Sequence, residues 1–215
     1  MTLERGRAVL ILDERLTSEA GEPLDAMWGH HVAFGLPFLE EGATIATSAR
    51  RLLVHEDLPG FTPRRLRPGQ AVAWPVAEAG DGAPLDLSAV PPRTEAAGRE
   101  MAYLTDFDGP AWYAITNVAR RVGFAMRWDG ALFRYLWLWQ ELGGGTGYPW
   151  WGRTYAVALE PWTSYPTLGL PEAVARGTQL VLQPGETVTT RLTAGVHAGL
   201  AAVTSVAEDG AAAGS

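Results

Sequence analysis

The 215-residue chain carries almost no sustained 3.6-residue apolar periodicity, and that absence constrains its fold more than any other feature. Short apolar or alternating runs recur instead, cut by Gly, Pro and Asp, as in strands joined by turns. The runs Ala8–Leu16, Ala43–Thr47, Leu52–His55, Ala71–Val76, Met101–Asp106 and Ala111–Asn117 predict strands. Gly123–Trp128, Leu132–Trp139, Thr154–Glu160, Thr178–Gln183 and Thr187–Ala194 continue the series. Many are rich in Val, Thr, Tyr and Trp, which suit a pleated, half-buried surface. Asp129–Gly130 lies between two runs and predicts a hairpin, because that pair accepts positive φ. Pro171–Arg176, closed by Gly177, is the best short helix. The fold class expected is all-β. Residues 1–206 read as a single domain, with Ala77–Arg99 as a long surface loop and 207–215 as a disordered tail.

Charge and composition remove several functions. With 17 Lys and Arg against 24 Asp and Glu, the net charge is −7, which argues against nucleic acid, since phosphate neutralisation needs a basic excess. The same acidity weakens any case for anionic membranes. No stretch approaches the ~20 apolar residues of a spanning helix. The short apolar run Ala8–Leu12 is followed at once by Asp13 and Glu14, unlike a secretory leader. Cysteine is absent, so disulfides and thiolate metal sites are excluded and a reducing compartment is compatible. The expectation is a soluble cytoplasmic protein.

Two segments hold candidate chemistry. His30 and His31 are adjacent in Met27–Gly35; neighbours on a strand point to opposite faces, so at most one serves a given site. No spaced partner motif accompanies them, and no metal is expected. His55 and His197 read as ordinary surface histidines. Glu160 ends an apolar strand, is followed by Pro161, and is close in sequence to Trp150, Trp151 and Trp162. A carboxylate partly desolvated among such rings becomes a better base. Six of nine tryptophans lie between Trp128 and Trp162, and alternation puts Trp137 and Trp139 on one face. Aromatic faces pack against sugar C–H surfaces, though core packing accounts for part of the cluster equally well. The Gly143–Gly147 run lacks the Lys-Ser/Thr of a P-loop, and no Gly-x-Ser-x-Gly occurs.

Taken together, His31-Val32-Ala33-Phe34 resembles the His-x-x-Phe signature around the acid histidine of the galactose mutarotase-like (aldose 1-epimerase) superfamily. Leu159-Glu160-Pro161 resembles the Leu-Glu-Pro signature around that family's base, and Leu182–Thr187 looks like its closing Pro-Gly-Glu hairpin. The resemblance covers residues 3 to 197. It implies a large antiparallel β-sandwich, a small-molecule sugar as partner and no cofactor. His31 would protonate the ring oxygen while Glu160 takes a proton from the anomeric hydroxyl, each group being worth ~10²–10⁴ in rate. A glycosidase would more often pair two carboxylates. The family also places an aspartate against sugar hydroxyls; Asp106 is the match preferred here, with Asp108 close behind and a plain turn before Gly109 as the structural alternative. Trp139, Gln140, Trp151 and Arg153 are cleft-lining candidates by position and residue type.

The chain departs from the family in what precedes His31. About twice the strand content is usual there, including an arginine and a second histidine that grip the sugar, and Ser18–Gly21 replaces an asparagine-containing turn. The implied sandwich therefore lacks its N-terminal part. A non-catalytic carbohydrate-binding sandwich and an interaction domain with a tryptophan-rich core are the competing readings. A shortened sandwich exposes strand edges and apolar faces, which predicts homo-oligomers or poor solubility. Size-exclusion chromatography is expected to show a species larger than the monomer; a stable monomer counts against it.

Overall fold

Apolar alternation sorts the strands into two six-stranded antiparallel sheets packed face to face. The computed structural model describes residues 1–56, 58, 60–93 and 98–215. In chain order the strands begin with β1 (Thr2–Leu3), β2 (Val9–Thr17), β3 (Leu24–Ala26), β4 (Ala33–Gly35), β5 (Thr44–Thr47) and β6 (Ala49–Val54). Next are β7 (Ala71–Ala73), β8 (Val76–Glu78), β9 (Pro84–Asp86), β10 (Gly98–Phe107), β11 (Ala111–Asn117) and β12 (Val122–Trp128). The rest are β13 (Tyr135–Leu142), β14 (Tyr155–Trp162), β15 (Leu180–Leu182), β16 (Thr187–Ala198), β17 (Val203–Val206) and β18 (Ala212–Gly214). The single helix among the described residues, α1 (Leu170–Ala175), lies within one residue of the expected span and is followed by Gly177 at φ 66°. No described helix is long and apolar enough to cross a membrane.

The first sheet runs β1-β2-β16-β12-β11-β5 and the second β4-β14-β13-β10-β6-β7. Between them lies the main core, including Leu52, Leu104, Tyr113, Ile115, Met126, Leu136, Leu138 and Leu159. In β13 Leu136 and Leu138 point into this core, while Trp137 joins Met101, Tyr103 and Phe61 in a separate cluster on the outer face. The second sheet is therefore apolar on both faces, and the candidate site lies on the outer one.

Several expectations are corrected. Asp129–Gly130 turns the chain but makes no hairpin, since β12 and β13 belong to different sheets. The Asp129 carboxylate accepts from Ala131 N–H at 2.9 Å, and Phe133, fully buried, carries the chain across the core. Pro184–Gly185 likewise joins two strands that do not pair: β15 lies against β3 and β16 against β2. The run Ala71–Val76 is two strands, β7 and β8. The Ala77–Arg99 segment, whose residues 94–97 lie outside those described, is no plain surface loop. It forms the β8–β9 hairpin and buries Ala77, Leu87 and Val90 in the core.

The tail is ordered. β18 pairs with β17, and this hairpin lies on the outer face of the first sheet, where Trp112, Ala114 and Ala125 meet Val203, Val206 and Ala212. Its small residues allow close approach: a Cβ on Gly214 would stand 1.8 Å from the Ala202 carbonyl oxygen. His55 and His197 are buried rather than exposed, 5% and 8% accessible. Deleting residues 207–215 removes the strand paired with β17 and the Ala212 contact with the Trp112 cluster, and is expected to cost about 1–3 kcal/mol of stability. Urea unfolding measures this, and an unchanged midpoint contradicts the covering role.

Candidate functional site

A continuous antiparallel register at the edge of the second sheet builds the site. β4 pairs with β14 through Ala33↔Ala158 and Phe34↔Val157, and the same register continues outward as a bridge between Gly29 and Trp162. Between these points Leu159 N–H donates to Val32 O at 2.9 Å, His30 N–H to Pro161 O at 3.0 Å and Thr163 N–H to Trp28 O at 2.9 Å. His31 thus stands opposite Glu160, and directly opposed residues share a face. The His31 Nε2 approaches Glu160 Oε1 to 3.5 Å. The adjacent His30 points the other way, its Nε2 3.1 Å from Glu14 Oε2 and its ring edge-on to Phe133.

The two partners differ in environment. The His31 side chain is 69% exposed and that of Glu160 only 6%. Burial raises the Glu160 pKa, opposed by a hydrogen bond from the Trp162 indole and by the nearby His31. The indole Nε1–H donates to Glu160 Oε2 at 3.0 Å, which leaves Oε1 toward the imidazole. Trp162 is itself fixed in place. It stacks on Trp137 with centroids 4.4 Å apart and planes at 15°, and Trp137 donates its indole N–H to Ser164 O at 2.8 Å. Gly29 supplies the close approach, because a Cβ there would come within 2.1 Å of Trp162 Cδ2.

The other sequence candidates are scattered. Trp139 lies on the same outer face, opposite Ala158 and half-buried. Gln140, the next residue along, points to the opposite face of the sheet and is buried, its side-chain oxygen accepting from Arg65. It is an interior residue and does not line the cleft, for the same alternation that puts Trp139 outside. Asp106 sits near the end of β10, exposed at φ 56°, with its carboxylate 3.9 Å from Arg51. In register it lies three residues beyond the Glu160–Trp137–Tyr103 row and two strands away, roughly 10 Å in each direction. It does not converge on the pair. Trp151 and Arg153 are exposed on the β13–β14 connection, at the opposite end of these strands from Glu160.

Sequence reasoning missed Gly29, Phe61 and Tyr165. Phe61 and Tyr165 pack on the outer aromatic cluster from loops, where no periodicity marks them. Gly29 had a signal, a glycine between Trp28 and His30. Among the described residues no three His, Cys, Asp or Glu side chains converge in a way that could hold a metal ion.

An exposed imidazole over a buried, proton-affine carboxylate can give and take protons on one small molecule. No protein-family model matches this sequence and no curated protein matches it. Solved structures do share its architecture. One, described as a candidate aldose 1-epimerase from Klebsiella pneumoniae, aligns at TM-score 0.60 and 20% identity over 89% of this chain and 43% of its own. A second such candidate from Escherichia coli K12 gives 0.56 and 18%, over 89% and 57%. A galactose mutarotase-like protein from Clostridium acetobutylicum gives 0.53 and 15%, over 87% and 52%. The chain thus has the galactose mutarotase-like fold and spans about half the length of these structures.

The raised Glu160 pKa sets a pH dependence of stability. Folding favours the protonated carboxyl, so stability declines as pH rises from the unfolded carboxylate pKa through the higher folded one. Glu160→Gln keeps an acceptor for Trp162 and removes the ionisable group. Its Tm relative to the parent is expected to become more positive between pH 4 and pH 7; a constant difference contradicts the desolvated carboxylate.

Proposed function

We propose that this galactose mutarotase-like sandwich acts on a free aldose, interconverting its α and β anomers with His31 and Glu160 as the proton-transfer pair. The observation that carries the reading is the 3.5 Å approach of an exposed imidazole to a buried carboxylate whose pKa is raised. At that separation no pyranose fits between the two groups. The sugar instead presents its hemiacetal edge to both, which the chemistry permits because ring oxygen and anomeric hydroxyl share one carbon. His31, being exposed, can swing aside to admit it.

In the ring-opening direction protonated His31 gives its Nε2 proton to the ring oxygen. Glu160 Oε1 takes the proton of the anomeric hydroxyl, the C1–O5 bond breaks, and the open-chain aldehyde forms. Rotation about C1–C2 turns the other carbonyl face toward the C5 hydroxyl. Closure then runs the same transfers backward, restoring both groups. Burial of Glu160 matters because a raised pKa improves a carboxylate as a base near neutral pH. Trp162, half-buried and backed by Trp137, offers an apolar wall for the C–H face of the ring.

Polarimetry on freshly dissolved α-D-glucose and α-D-galactose tests this. The expected result is accelerated mutarotation, lowered at least ~10²-fold by Glu160→Gln and by His31→Ala. The acid limb of the rate profile should lie above the ordinary carboxylate range, since Glu160 must be ionised to act as base. Tryptophan fluorescence that responds to sugar without any acceleration would instead favour a non-catalytic carbohydrate-binding sandwich, a reading supported by the aromatic face alone.

A further inference from the structure

Beyond the His31–Glu160 pair, the outer face carries aromatic rings for which single-ring anomer exchange has no use. Strand rise sets Trp139 about 7 Å, roughly one pyranose length, along β13 from Trp137, the buried ring that backs Trp162 beside the pair. The Trp150 ring follows Trp139 with centroids 5.6 Å apart, and Tyr148 meets Trp151 edge-on at 6.0 Å. Trp151 is 60% exposed and Tyr148 82%, on a loop that is not slack. Gly143 N–H donates to Thr154 O at 2.8 Å, Gly152 N–H to Gly145 O at 2.6 Å and Trp151 N–H to Gly147 O at 3.0 Å. The buried Glu141 carboxylate accepts from Gly145 N–H at 2.8 Å. Trp151 holds φ 53°, an unfavourable conformation for a bulky side chain. Organised backbone is thus holding two large rings out in water. The Arg99 guanidinium, paired with the buried Glu141 at 2.6 Å, lies 5.5 Å from the Trp150 centroid and fixes that ring from beneath.

We propose that these rings extend the site into a linear subsite for a neutral oligosaccharide. Its reducing-end ring sits at His31–Glu160, and the following units run over Trp139 and Trp150 toward Trp151. Continuity with the pair along one strand face singles out this occupant, and the inference rests on the anomer-exchange reading. Successive exposed aromatic faces match the C–H surfaces of such a chain.

Isothermal titration calorimetry with glucose, maltotriose and cellotriose tests it. At least one trisaccharide is expected to bind tenfold or more tighter than glucose, and Trp151→Ala and Tyr148→Ala should bring that ratio close to one. Both side chains are exposed, so the variants retain the fold. Equal affinities in the parent protein, or a ratio indifferent to both substitutions, overturn the extended subsite while mutarotation of glucose stands on its own. If no sugar binds and polarimetry shows no acceleration, both readings fall.

Discussion

The meeting of His31 and Glu160 depends on one backbone register, the antiparallel alignment of residues 29–35 with β14. It is held by the Ala33↔Ala158 pairing, the Gly29–Trp162 bridge and the hydrogen bonds between them. A slip of one residue would turn His31 to the other face and bring His30 round in its place. The interior pins it. Val32 and Phe34 pack on the core, and Phe34 meets Phe124 and Tyr113. Apolar packing on one face thus sets the geometry of the His31–Glu160 pair on the other.

The outer face of the second sheet obeys an unusual condition for an antiparallel sheet, which commonly leaves one side to water. Here Trp137, Tyr103 and Met101 are almost wholly buried beneath loop residues such as Phe61 and Tyr165. The aromatic layer has a structural role first. Trp162 joins this layer to the site, because it stacks on Trp137 and donates to Glu160. A carboxylate at the border of such a layer is desolvated without being sealed in, and its exposed imidazole neighbour provides the route to solvent.

The turns show how far local chemistry reaches. Both pairs turn the chain, Pro184–Gly185 with Gly185 at φ 72° and Asp129–Gly130 through the Asp129 carboxylate without positive φ at Gly130. Whether the flanking strands then pair is a separate matter, decided by which sheet has apolar surface left to cover. Trp128 and Phe133 both enter the core between the sheets, so the Asp129 turn becomes a crossover. The small, polar-looking tail is likewise held by a surface that the tail itself does not display, the apolar outer side of β11 and β12. Short segments such as β4 and β18 carry too few residues for a period-two pattern to be seen, and only their partners make them strands.

Alternation along β10, β13 and β14 was sufficient to place the longer strands, to turn Trp137 and Trp139 to one side and to mark an all-β class. The short signatures around His31 and Glu160 stood out through their resemblance to the galactose mutarotase-like family, not through alternation. The tertiary structure alone decided that those two meet and that Asp106 stands apart, whereas the inward side of Gln140 follows from the alternation that turns Trp139 outward. The physical reason is that side-chain direction in a strand is a local property with a period of two. Register and strand order instead depend on contacts between residues far apart in the chain, which no local pattern encodes.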